Sequence, residues 1–91
     1  MFNDLRVGNS ELKDETGNIW ELGYYVRTFN EEQGQVVYGL KIERSDADNQ
    51  KMSESTCGLT SSYEEAEGIA MQLLEGTVTP MSLHAVVDDL F

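Results

Sequence analysis

Ser62-Tyr63-Glu64-Glu65-Ala66-Glu67-Gly68-Ile69-Ala70-Met71-Gln72-Leu73-Leu74-Glu75-Gly76-Thr77-Val78-Thr79-Pro80 holds a helix, its stop and the start of a second helix, and its reading decides the fold. Ser62 and Glu65 have capping-box spacing: the serine hydroxyl accepts from the Glu65 amide while the glutamate reaches back to the Ser62 amide. Ala66, Ile69, Ala70, Leu73 and Leu74 then fall on one helical stripe, and Gly76 stands where a left-handed residue closes the last turn. Thr79-Pro80 offers an N-cap oxygen followed by proline at the first helical position, where a missing N–H costs nothing. The second helix turns Leu83, Val86, Val87 and Leu90 inward. Helices are predicted over 63–75 and 80–90, joined as an αα-hairpin.

Upstream the apolar period changes from 3.6 to 2. Trp20, Leu22, Tyr24 and Val26 alternate with mixed residues, as do Val36, Tyr38, Leu40 and Ile42, and Asn30-Glu31-Glu32-Gln33-Gly34 separates the two runs. They read as an antiparallel hairpin. The register expected places Val26 opposite Val36, Tyr24 opposite Tyr38, Leu22 opposite Leu40 and Trp20 opposite Ile42, with Trp20 buried under the helices. Glu21 then faces Lys41 on the other side. Leu5-Arg6-Val7 and Glu11-Leu12-Lys13 suggest a bulged first strand ended by the turn Asp14 to Asn18. After Ser45 to Asn49, Lys51 to Leu59 alternates weakly, as suits an edge strand. The whole is an α+β fold: an antiparallel four-stranded meander (strands about 3–13, 18–29, 35–45 and 50–59) followed by an αα-hairpin on one sheet face.

Ninety-one residues fit a single domain over 1–91 with a modest core. Six basic against seventeen acidic residues give a net charge of −11, which repels phosphate backbones and anionic lipid. Neither nucleic acid nor membrane is the expected partner. The charges read as scattered, which weighs against mimicry of nucleic acid. One cysteine forms no internal disulfide, the N-terminus lacks the basic and apolar regions of a signal peptide, and no apolar run suffices to span a bilayer. The expected location is the cytoplasm.

Tyr38-Gly39-Leu40-Lys41-Ile42-Glu43, Leu59 to Ala66, Leu73 to Pro80 and Val86-Val87-Asp88-Asp89-Leu90-Phe91 resemble a family of short uncharacterised proteins from clostridial (Firmicute) bacteria. The resemblance implies a bacterial, cytoplasmic protein. It brings no activity, cofactor or binding residue with it.

Residue chemistry points away from catalysis. Cys57 and His84, each the sole member of its kind, would make a dyad without an orienting third group, and a His84–Asp88 surface pair is the plainer reading of the histidine. Asp46-Ala47-Asp48-Asn49 resembles the opening of a calcium loop but lacks the glycine and glutamate that complete one, so it reads as a turn. No catalytic residue, metal or cofactor is expected. Two surfaces stand out instead. Ile19, Tyr25, Phe29 and Val37 fall on the sheet face away from the helices, interrupted by Gly23 and Gly39, and form the candidate partner surface; an equal reading is that Tyr25 shields a glycine. Asp88 and Asp89 crowd the negative end of a helix, facing either Arg6, Arg27 or Lys41 of the sheet or a basic partner. The function expected is a small non-catalytic interaction or regulatory module binding a protein partner or a second copy. The alternative is a small ligand-binding domain or enzyme using Cys57 and His84.

Overall fold

A computed structural model describes residues 2–30, 34–46, 48 and 50–90. Four strands, β1 (Phe2–Lys13), β2 (Ile19–Asn30), β3 (Val36–Ser45) and β4 (Lys51–Ser55), form one antiparallel sheet in the order β1-β2-β3-β4. Helix α1 (Tyr63–Glu75) follows, and the 3-10 turn Pro80–Ser82 leads into helix α2 (Leu83–Leu90). The predicted α+β meander with both helices on the sheet is the architecture observed. Leu22, Tyr24, Val26, Leu40 and Ile42 line the covered face, and Ala66, Ile69, Ala70, Leu73, Leu83 and Val87 close it from above. The Leu90 side chain lies outside the described residues.

The β2–β3 register differs from the expected one. Tyr24 pairs with Ile42, Val26 with Leu40, Thr28 with Tyr38 and Asn30 with Val36, while Glu21 faces Ser45 and Lys41 faces Tyr25. Each β2 residue meets a partner four places further along β3, about 13 Å of strand. An even slip keeps every side chain on its face, so the apolar pattern is satisfied by both registers. In the observed register the ladder runs from Glu21 and Ser45 to Asn30 and Val36.

Trp20 bears the consequence. The core centres on Tyr24 and Ile42, and Trp20 is left at the rim of the helix-covered face, half-buried instead of buried. It is paired with Leu12, stacked under the Arg44 guanidinium at 4.4 Å and bonded through Nε1 to Asp14 Oδ2 at 3.1 Å.

The first strand carries the expected bulge: Arg6 pairs with Tyr25 but Gly8 with Tyr24, with Val7 as the extra residue. There α1 packs tightly on the sheet: a Cβ on Gly8 would stand 2.8 Å from Leu74 Cδ2. β4 ends at Ser55, short of the predicted boundary. Thr56 is buried, and its Oγ1 accepts from the Leu40 amide at 2.9 Å while donating to the Cys57 carbonyl at 2.8 Å. The side chain takes over a ladder bond and turns the chain, which returns to β3 only at the Tyr38–Thr60 bridge.

Half the capping box forms as predicted, with Glu65 N–H donating to Ser62 Oγ at 3.3 Å. The other half runs through Thr60: Ser62 N–H donates to Thr60 Oγ1, which donates to Glu65 Oε2. At the far end the left-handed residue is Thr77 (φ 51), while Gly76 stays helical at φ −85. Val78 N–H donates to the Leu73 carbonyl and Thr77 N–H to that of Leu74, the two bonds of a Schellman motif. Moving it one residue along lets apolar Val78 close over Leu73; with Gly76 left-handed, Thr77 would have met exposed Gln72. Packing therefore overrides glycine's preference. A threonine held there is strained, so Thr77→Gly is expected to stabilise by about 0.5–1 kcal/mol after the entropy that glycine returns to the unfolded chain. A raised urea midpoint at unchanged slope is the readout.

Pro80 opens its turn as expected, but Thr79 makes no side-chain cap bond to the backbone. The Ser82 amide donates instead to the Thr79 carbonyl at 3.0 Å, which tightens this first turn to 3-10.

Candidate functional site

Strand alternation sends Tyr25, Phe29 and Val37 to the sheet face opposite the helices, and Phe29 pairs directly with Val37. All three are half-buried. Ile19 shares the face and is 53 % exposed, but it lies six residues from Tyr25, about 20 Å along the strand.

Each of the three side chains lies against a glycine. A Cβ on Gly23 would come within 3.0 Å of the Tyr25 ring, one on Gly39 within 3.2 Å of Phe29 Cε2, and one on Gly58 within 2.6 Å of Val37 Cγ2. The glycines let side chains lie flat on the sheet, so part of the apolar surface is already spent within the chain. Tyr25 still differs from the others. Arg6 donates to its hydroxyl at 3.1 Å, and the Arg6 guanidinium and Lys41 ammonium stand 5.5 Å and 5.4 Å from the ring centroid. An aromatic between two cations is held rigid and retains an exposed rim.

The basic charge gathers on one face, although the acidic charge is spread over both. Arg6, Lys13, Arg27, Lys41 and Lys51, five of the six Lys and Arg residues, occupy this outer face. Arg27 binds Asp4 at 2.8 Å; Lys41 reaches Asp4 at 3.4 Å and Glu43 at 3.7 Å; Lys51 reaches Glu43 at 3.9 Å. The Arg27 guanidinium holds the Asp4 carboxyl below its ordinary value, with Lys41 adding to the effect. Residues 52–91, by contrast, contain no Lys or Arg and carry Glu54, Glu64, Glu65, Glu67, Glu75, Asp88 and Asp89. A helix layer of one sign backs a sheet face of mixed sign, where Asp4, Glu11, Glu21 and Glu43 stand among the five cations. Sequence spacing conceals this because the five cations come from four strands.

Asp88 and Asp89 are exposed at the end of α2. Arg6, Arg27 and Lys41, considered as their counter-charges, lie across the sheet with Tyr25 and Asp4, and no ion pair among the described residues includes either aspartate. His84 pairs with Glu54 of β4 at 3.4 Å, not with Asp88. Cys57 is exposed in the segment after β4, and no hydrogen bond or ion pair among the described residues joins it to His84.

Asp14 and Asp46 do the same work in two turns at one end of the sheet. Asp14 Oδ1 accepts from the amides of Thr16 and Asn18, both at 2.9 Å; Asp46 Oδ1 accepts from those of Asp48 at 3.0 Å and Gln50 at 2.9 Å. Ala47 and Asn49 lie outside the described residues. The described residues hold no group of three or more His, Cys, Asp or Glu arranged to grip a metal. Hydrogen bonds from Thr16, Trp20 and Asn18 lower the Asp14 pKa from 3.8 to about 2. A depressed carboxylate stabilises above its unfolded pKa and loses that contribution as pH falls through the folded one. Stability should therefore decline between about pH 4 and pH 2, with Trp20 emission moving in the same window. Asp14→Asn should flatten that part of the decline, and urea titrations across the window decide it.

No curated protein and no solved structure matches this chain. Among the described residues no helix is long and apolar enough to cross a membrane. Residues 4–91 match the model of DUF6514, a family of unknown function, and the chain belongs to that family.

Proposed function

We propose that this chain is a non-catalytic protein-interaction module of the bacterial cytoplasm that receives its partner on the outer sheet face, with Tyr25 and Arg6 as anchors. The observation that carries the reading is the half-exposed Tyr25 ring, fixed between Arg6 and Lys41 on the face that gathers five of the six basic side chains. Tyrosine and arginine are the side chains that most often dominate a protein interface, and a rigid ring loses little entropy on contact. The acidic helix layer repels an acidic, aromatic-bearing partner, whereas on the sheet face the cations offset the carboxylates, so such a partner meets least repulsion beside Tyr25. Phe29 and Val37 add apolar area on the same face, and Ile19 contacts only a partner long enough to reach the hairpin end. Asp88 and Asp89 favour orientation over contact.

Cytoplasmic placement draws on the lone exposed cysteine and the likeness to clostridial proteins. The enzyme reading has little to build on, since Cys57 and His84 share no contact among the described residues.

Tyr25→Glu is the test. It keeps a partner for Arg6 and Lys41 and should leave circular dichroism unchanged while abolishing partner capture. The double substitution Cys57→Ser with His84→Ala should leave capture intact. The reverse pattern would revive the enzyme.

A further inference from the structure

We propose that the free edge of β1 pairs with the same edge of a second copy, antiparallel about a two-fold axis at Asn9, in a register set by the bulge at Val7. β1 is the outermost strand at one side of the sheet, and its twelve residues make it much longer than β4 at the other. A long edge of this kind is a template for another strand.

The bulge makes the edge self-complementary. Against β2, Gly8 and Arg6 occupy adjacent pairing steps because Val7 is extra. Repeating that geometry between two copies sets Asn9 opposite Asn9, Gly8 opposite Ser10, Arg6 opposite Glu11, Leu5 opposite Leu12 and Asp4 opposite Lys13. Every pair falls on one face. Arg6, Asp4, Glu11 and Lys13 belong to the outer face, while Gly8, Ser10, Leu5 and Leu12 belong to the helix side. Without the extra residue Arg6 would meet Leu12 and Asp4 would meet Asp14. Charges on an edge ordinarily keep other strands away; in this register they attract.

Two features of the single chain are resolved by the pairing. Glu11 lies directly opposite Glu21, a like-charge pair that no ion pair among the described residues relieves; Arg6 of the second copy would stand beside it. Leu5 is 53 % exposed on the helix side, and Leu12 of the second copy would cover it. Because a two-fold repeats each contact, the cation–carboxylate contacts form twice, and the dimer closes into one continuous eight-stranded sheet without a propagating end at β1. The edge shares Arg6 with the outer-face anchor, but dimerisation is read by cross-linking at position 9 and partner capture by Tyr25→Glu, so the two readings fail separately.

Sedimentation equilibrium of the full chain should give twice the 10.2 kDa chain mass. Glu11→Arg puts two arginines face to face at both symmetric sites and should weaken the dimer on the order of tenfold or more. The same-chain swap Arg6→Glu with Glu11→Arg should restore it, with circular dichroism confirming the fold of each variant. Independently, Asn9→Cys in a Cys57→Ser background should oxidise to a disulfide-linked dimer, since residues opposed across a two-fold strand pair lie within disulfide reach. Ser53→Cys on the opposite edge in the same background should not. A monomer up to millimolar concentration, a dimer indifferent to Glu11→Arg, or equal cross-linking from positions 9 and 53 would overturn the proposal.

Discussion

Tyr24→Ala is expected to cost about 3–5 kcal/mol, a large fraction of the total stability of a domain this small. Tyr24 is fully buried and is the largest of the completely enclosed side chains. It sits opposite Gly8 at the β1 bulge and opposite Ile42 of β3, so it ties three strands together. Its hydroxyl donates to the Val78 carbonyl at 2.9 Å, anchoring the turn between the helices. Burial pushes the phenol up, which keeps it protonated and able to donate across the accessible pH range. Alanine leaves a ring-sized cavity and an unpaired Val78 carbonyl together. Tyr24→Phe separates the two terms: it should cost about 1–3 kcal/mol for the stranded carbonyl alone. Urea denaturation of both variants checks the division.

Gly39→Ala is expected to destabilise by about 3–4 kcal/mol, although it adds only one methyl group. The new Cβ would stand 2.6 Å from the Cys57 carbonyl oxygen and 2.8 Å from Thr56 Oγ1. The first of these is backbone and cannot rotate away. Relief requires the segment after β4 to move, which breaks the Thr56 bonds to both backbone groups of Leu40 and strains those joining Tyr38 to Leu59 and Thr60. Gly68→Ala supplies the contrast. Beyond its chain neighbours and the helix's own backbone, nothing lies within 4 Å of its Cβ position in α1, so there alanine should stabilise by about 1 kcal/mol through helix propensity.

These two glycines show which parts of the molecule the sequence discloses. Helix limits are legible because Ser62, Glu65 and Pro80 act on their own neighbours within a turn. Strand faces are legible too, since alternation is local. Register is not: Tyr24 opposite Tyr38 and Tyr24 opposite Ile42 satisfy the same pattern, so alternation alone does not choose between them. The misplacement of Trp20 follows from that ambiguity alone. Thr77 was hidden for a related reason, because the left-handed position is set by which apolar residue closes over Leu73.

The candidate surface was half legible. Alternation correctly grouped Tyr25, Phe29 and Val37, and the spacing of Gly23 to Tyr25 on one strand hinted at the ring lying over the glycine. The cations around Tyr25 were not visible. Arg6 and Lys41 lie thirty-five positions apart in the chain and meet across one ring only once β1, β2 and β3 are in register. Charge distribution on a sheet is a property of pairing and cannot be read along the chain.

Site-specific photo-crosslinking in the native cytoplasm tests the partner-binding reading most directly. A photoreactive side chain placed at position 29, on the same outer face as Tyr25 and about 13 Å along the strand, is compared with one at Met71, which is 40 % exposed on α1. The account predicts a specific adduct with a different polypeptide from position 29, lost when Tyr25→Glu is added, and no such adduct from position 71. Adducts from position 71 alone, or adducts from position 29 that persist with Tyr25→Glu, would contradict it.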